Sequence, residues 1–161
     1  PGAAYDGTKF VTFKGQVPRS YTISFIQRNG LADWWISTAF KFPRVRLPTD
    51  YNEACNIGGC FFALDENGFF CVYDPSIGNW RVSSTQIAEG AWCNVMIRRN
   101  HAGKYCDVRI YNGGTSAWDP VYSNIPVAGP DLADFIRIGF SGAMEHDVSV
   151  DLMIGYHLQP Y

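Results

Sequence analysis

Tyr105, Asp107, Arg109 and Tyr111 place polar and aromatic side chains at every second position. On an extended strand that period puts all four on one face. The combination suits sugar recognition, because a ring can stack on the apolar C–H face of a pyranose while polar neighbours hold its hydroxyls. Upstream, Trp92 is in phase with Asn94 and Arg98, and Trp35 with Ser37 and Lys41. If Trp92 to Arg99 pairs with Tyr105 to Tyr111, then Asn94 and Arg98 share a face with the row. Trp118 stands in Gly113 to Pro120, a Gly- and Ser-containing stretch that reads as a loop. The ligand-binding candidates are therefore Trp35, Tyr105, Arg109, Trp118 and Trp92. Packing alternatives stay open for each. Trp92 opens its segment and could plug the edge of the domain, and the Tyr105 to Tyr111 row could be only the outside of an amphipathic strand. Trp34 and Trp80, the latter in phase with Val82, read as core.

Catalytic chemistry is harder to assemble. Glycoside hydrolysis needs two carboxylates flanking the scissile bond. Asp147 and Asp151 share strand parity, but Ser149 lies between them, and Glu145 falls in the preceding turn. Solvated strand-end acids are the simpler reading. A polysaccharide lyase would need a Tyr or His base beside an Arg or Gln. Gln27, Arg98, His101, Arg109, Tyr105 and His157 are present only singly. No nucleophile elbow occurs. A binding role is favoured over an enzymatic one.

The composition narrows the partners. The 161 residues carry 13 basic and 15 acidic side chains, a formal charge of -2, which offers nothing to hold a nucleic acid. The trio Arg98, Arg99 and His101 reads as a solvated hairpin end. No run approaches the ~20 apolar residues of a membrane helix. The longest uncharged run, Ala54 to Leu64, is broken by Asn56, Gly58 and Gly59. With Pro1 in place of an initiator methionine and no signal peptide in view, a mature or excised form is expected.

Five cysteines, Cys55, Cys60, Cys71, Cys93 and Cys106, permit two bridges and one remaining thiol. A bridge among Cys55, Cys60 and Cys71 is expected if the chain is secreted. Cys93 and Cys106 alternate in phase with Val95, Ile97, Val108 and Ile110, and read as small core residues. The spacing does not suit zinc.

The aromatic share is 16%, and apolar side chains alternate with polar ones from end to end without a helical stripe. Strands are expected at Lys9 to Phe13, Tyr21 to Gln27, Asp33 to Phe42, Cys60 to Leu64, Phe69 to Asp74, Asn79 to Ser83, Trp92 to Arg99, Tyr105 to Tyr111, Val121 to Asn124, Phe135 to Phe140 and Val148 to His157. Asp65-Glu66-Asn67-Gly68, Pro75 to Gly78 and Asn100-His101-Ala102-Gly103 supply turns. Gly113 to Pro120 and Val127 to Asp131 read as loops. Many short strands without crossover helices exclude a parallel α/β fold and predict one all-β domain over 1–161, with 1–7 as a flexible leader. Such a leader could lend a strand to the sheet edge of a neighbour.

Gly90-Ala91-Trp92-Cys93-Asn94-Val95-Met96-Ile97, followed by Gly103-Lys104-Tyr105-Cys106-Asp107-Val108-Arg109-Ile110-Tyr111-Asn112-Gly113, resembles the laminin-G-like branch of the concanavalin A-like lectin/glucanase superfamily. Tyr5-Asp6-Gly7 resembles its opening, and Ser149 to Ile154 its closing strand. The resemblance implies a two-sheet antiparallel jelly roll. Its members include lectins, carbohydrate-binding modules, lyases, glycosidases and adhesion domains. Structural calcium is common in that superfamily, and the resemblance makes Asp151, with Asp6 near the opening, the candidate ligand, while a paired surface acid is the simpler reading of Asp151. No other cofactor is required. The expected function is non-catalytic binding of a polysaccharide or glycan, outside the cell or at its surface. The alternatives are a self-associating structural or adhesion subunit and, third, a lyase or glycosidase.

Overall fold

A computed structural model describes the backbone of residues 11–13, 21–26, 34–41, 55–57, 59–100, 104–112, 116–127, 135–140 and 148–157. Side chains are described for 36–41, 55–57, 59–100, 104–111 and 116–127. The regular elements among these residues are all strands: β1 (Val11–Phe13), β2 (Tyr21–Ile26), β3 (Trp34–Lys41), β4 (Cys55–Ile57), β5 (Cys60–Leu64), β6 (Phe69–Asp74), β7 (Asn79–Gln86), β8 (Trp92–Asn100), β9 (Tyr105–Asn112), β10 (Ala117–Pro126), β11 (Phe135–Phe140) and β12 (Val148–His157). They form two sheets in the orders β1-β12-β3-β8-β9-β10 and β2-β11-β4-β5-β6-β7. Every described pairing is antiparallel.

Alternation explains the core. On the first sheet, Ile36 and Phe40 from β3, Cys93, Val95 and Ile97 from β8, and Cys106, Val108 and Ile110 from β9 point inward. The second sheet answers with Cys55, Ile57, Cys60, Phe62, Leu64, Phe70 and Val72. Phe40 meets Phe62 across the sandwich edge to face, with centroids 5.0 Å apart. Complete burial of a side chain of this size stabilises by roughly 1.5–3 kcal/mol, so the inward rows hold the two sheets together.

The β5–β6 hairpin turns where the sequence predicts. The Asp65 carboxylate accepts from the Asn67 and Phe69 amides at 2.9 and 2.7 Å. Gly68 takes a φ of 82°, which a Cβ would make costly. Gly78 ends the Pro75 to Gly78 turn in the same way, at 62°.

Several expectations need correction. β4 was not foreseen, because three residues are too few to show a period. β7 continues to Gln86. Trp118 lies in strand β10, not in a loop. β10 is an edge strand, so Pro120 and Pro126 remove no amide that a further strand would need. Trp80 is not core. It sits outside the second sheet with Tyr73, over Phe61 and Ala63, while Val82 is exposed. Arg99 is not solvated at a hairpin end. It occupies an inward position and is 4% exposed. The five cysteines are all free thiols and buried, so the bridge among Cys55, Cys60 and Cys71 is not formed. Burial pushes the Cys93 and Cys71 thiols up to about 12, which keeps them neutral, as suits small core residues. The leader 1–7, the Val127 to Asp131 stretch beyond Val127, and residues 101–103 of the second hairpin turn lie outside the described residues.

Candidate functional site

The outer face of the first sheet collects the binding candidates. β8 alternates half-buried and buried along its whole length, and Trp92, Asn94, Met96 and Arg98 face outward. On β9 the outward set is Tyr105, Asp107, Arg109 and Tyr111. The predicted hairpin forms, and its register sets Arg98 opposite Asp107 and Met96 opposite Arg109. β10 adds Trp118 opposite Tyr111 and Pro120 opposite Arg109. On the other side, β3 sets Lys41 opposite Trp92 and Ser37 opposite Met96.

The backbone of β3 places Trp35 opposite Arg98 and His157, in the parity of this same face. Its side chain lies outside the described residues. So do the side chain of Asp151, which the register sets opposite Ala39, and Asp6. Among the described residues no three His, Cys, Asp or Glu side chains cluster as metal ligands. Also among them, no helix is long and apolar enough to cross a membrane.

The face has an aromatic end and a charged middle. Tyr111 and Trp118 touch edge to face, with centroids 5.5 Å apart and planes at 64°. Tyr111 is 37% exposed and Trp118 is half-buried. Arg109 lies one outward position along β9 from Tyr111, flanked across the strands by Met96 and Pro120. Next along β9, Asp107 pairs with Arg98 at 3.2 Å through one carboxylate oxygen. Its other oxygen accepts the Asn124 amide at 2.9 Å. Asn124 has a φ of 58° and stands where β10 shifts register. Asparagine tolerates that conformation better than most residues, and the Asp107 bond gives the displaced amide a partner. One carboxylate thus ties β8, β9 and β10 together at the bulge. Tyr105 and Tyr111 are six residues apart on the same face, about 20 Å along the strand.

Sequence reasoning placed Tyr105, Arg109 and Trp92 on this face correctly. It brought in Trp118 for the wrong reason, as a loop residue. It named Tyr111 in the row without selecting it. The missing signal was long-range. Nothing in the sequence aligns Trp118 with Tyr111 until β10 is registered on β9.

No family model and no curated protein matches the chain. Solved structures do. A protein titled "Sialidase" aligns with 92% of this chain at 11% identity and a TM-score of 0.54. This chain spans only about 15% of that protein's length. A peanut lectin solved with a 9mer peptide aligns over 96% of this chain and 85% of its own, at 14% identity and a TM-score of 0.42. The binding domain of botulinum neurotoxin serotype G covers 98% of this chain and 45% of its own, at 10% identity and 0.43. At these identities the likeness concerns the fold. The chain is a two-sheet antiparallel β-sandwich, as the sequence predicts, and shares its fold with the sialidase structure.

Proposed function

We propose that this protein is a non-catalytic, lectin-like domain that binds a glycan outside the cell, on the outer face of β8, β9 and β10. The observation that carries the reading is the Tyr111–Trp118 ring pair beside Arg109, on the side of the sheet away from the core. Rings offer a stacking platform for C–H faces, and Arg109 and Asn94 offer donors for hydroxyl or carboxylate oxygens. A face about 20 Å long with rings at both ends suits a short stretch of polysaccharide lying along β9. Asp107 is held by Arg98 and the Asn124 amide. Glycoside hydrolysis would need a second carboxylate beside it, and among the described residues the register sets Arg98, not an acid, opposite Asp107. Within the fold, the Gly90 to Gly113 segment supports a laminin-G-like placement.

The test is a glycan array or affinity gel with plant, algal and host polysaccharides, run on folded wild type and on Trp118→Ala and Arg109→Ala. Retention of the wild type on at least one glycan, weakened tenfold or more in Trp118→Ala, is expected. A blank across all of them overturns the reading. A second reading, self-association into an extracellular assembly, has one observation in its favour. β7 ends its sheet without a proline; Val82 within it is 49% exposed, and Ile77 in the turn before it is 58% exposed. A blank array together with concentration-dependent oligomers on size exclusion would favour that reading instead.

A further inference from the structure

Charge is unevenly spread over this domain, and the imbalance falls beside the Tyr111–Trp118 ring pair. On the outward row of β9, Arg109 lies between Tyr111 and Asp107, about 7 Å from each along the strand. Across the strands it faces Met96 on β8 and Pro120 on β10, neither of them an acid. Asp107 is already engaged. Arg98 holds one of its carboxylate oxygens at 3.2 Å and the Asn124 amide the other at 2.9 Å. Asp119 follows Trp118 but is registered opposite Ile110, which gives it the inward parity. A second cation stands at the same end of the sheet. Lys41 is opposite Trp92, and its Cε reaches within 3.8 Å of where a Cβ on Gly90 would stand.

The described outward side chains of this sheet therefore include Lys41, Arg98 and Arg109 against Asp107 alone, in a chain whose formal charge is -2. The other described acids lie elsewhere: Asp65, Glu66 and Glu89 between strands, and Asp74 on β6. Asp151 has the outward parity, but it belongs to β12, three strands from β9.

On the reading of this face as a glycan surface, on which the inference rests, we propose that the ligand is an anionic glycan, whose carboxylate or sulfate group is received by the Arg109 guanidinium while its sugar ring lies on Tyr111 and Trp118. A guanidinium presents its donors in a planar fork that matches two oxygens of such a group. A uronic-acid or sulfated pyranose carries the anion at the edge of the same ring whose C–H face stacks. Platform and cation must then be adjacent, as Tyr111 and Arg109 are. Lys41 adds positive potential at that end, which draws an anion to a chain that otherwise repels it. Arg98 is committed to Asp107 and holds the face together.

The test is affinity electrophoresis of the full chain in gels containing polygalacturonate, its carboxyl-reduced form, dextran sulfate or dextran, each read against a polymer-free gel. Retardation by polygalacturonate or dextran sulfate is expected, at least tenfold stronger than by the neutral counterpart, and which of the two retards distinguishes a carboxylate from a sulfate ligand. Arg109→Gln should weaken it by roughly tenfold or more. Arg109→Lys should weaken it less, because the charge stays and only the fork is lost. Lys104→Gln removes a charge from the exposed start of β9, away from the ring pair, and should leave retardation nearly unchanged. Equal retardation by charged and neutral gels overturns the proposal, as does a loss in Lys104→Gln matching that in Arg109→Gln. The comparison of gels needs only wild-type protein, so it stands even where a variant fails to fold. A blank in all four gels, with wild type retained on neutral glycans of the array, overturns the anionic class alone. A blank in both overturns the glycan reading as well.

Discussion

The two sheets end in hairpins built from the same parts. In β6–β7, Tyr73 is paired with Trp80, rings edge to face at 5.6 Å, and Asp74 binds Arg81. In β9–β10, Tyr111 is paired with Trp118, rings edge to face at 5.5 Å, and on β8–β9 Asp107 binds Arg98. What surrounds them differs. Tyr73 and Trp80 lie on Phe61 and Ala63, which are 6% and 4% exposed although they point away from the main core. That outer face is closed by its own side chains. Tyr111 and Trp118 are instead flanked along their strands by Arg109 and Pro120, and Tyr111 remains exposed. The ion pairs differ in the same sense. Asp74 is buried and accepts from the Ser76 amide and hydroxyl at 2.8 and 2.5 Å and from Arg81 Nε at 2.6 Å. Asp107 is part-buried on an open face. The same ring pair caps apolar neighbours in one hairpin and stands in the open beside Arg109 in the other, which is where a ligand is proposed to bind.

The largest effect that would break this contrast is expected at Phe61. Phe61→Ala removes the floor beneath Tyr73 and Trp80 and should cost about 3 kcal/mol in urea unfolding, with glycan retention unchanged. Equal loss of retention would mean that the closed face also binds. Asp74 should come next, with a pH signature. Burial alone would raise its pKa, but the Ser76 hydroxyl and amide and the Arg81 guanidinium together hold it below the ordinary carboxylate value. The unfolded chain therefore binds this proton more readily than the folded one. Its contribution is complete above pH ~4 and disappears as pH falls through the lowered folded value. Asp74→Asn should destabilise by about 2 kcal/mol at pH 7 and flatten the acid limb of stability against pH, as followed by thermal melts from pH 7 to 2. An unchanged acid limb would remove Asp74 from this role. The smallest stability effect is expected on the open face. Trp118→Ala should cost under about 1 kcal/mol of folding free energy while weakening glycan retention, because its ring caps no apolar cluster. A destabilisation as large as that of Phe61→Ala would show that the two faces are alike.

Part of the site was legible from side-chain alternation. The phases of Trp92, Asn94 and Arg98, and of Tyr105, Asp107, Arg109 and Tyr111, were read correctly because each strand carries an unbroken period of two with buried Val and Ile between. The same logic failed for Trp80. Its phase with Val82 was correct, but an apolar partner does not say which side of the sheet both occupy. Arg99 failed in the mirror sense, since a charged type was assumed to face water while its parity with Ile97 put it inside.

Local sequence alone determined that this chain is extended, antiparallel and built from hairpins, because alternation, turn glycines and short loops act over a few residues. Only the tertiary structure decided which outer face is closed, that Trp118 meets Tyr111, and that Arg99 is enclosed. Those outcomes depend on register and on the stacking of one sheet against the other. Both are fixed by packing between residues far apart in sequence, and a period of two is silent about them.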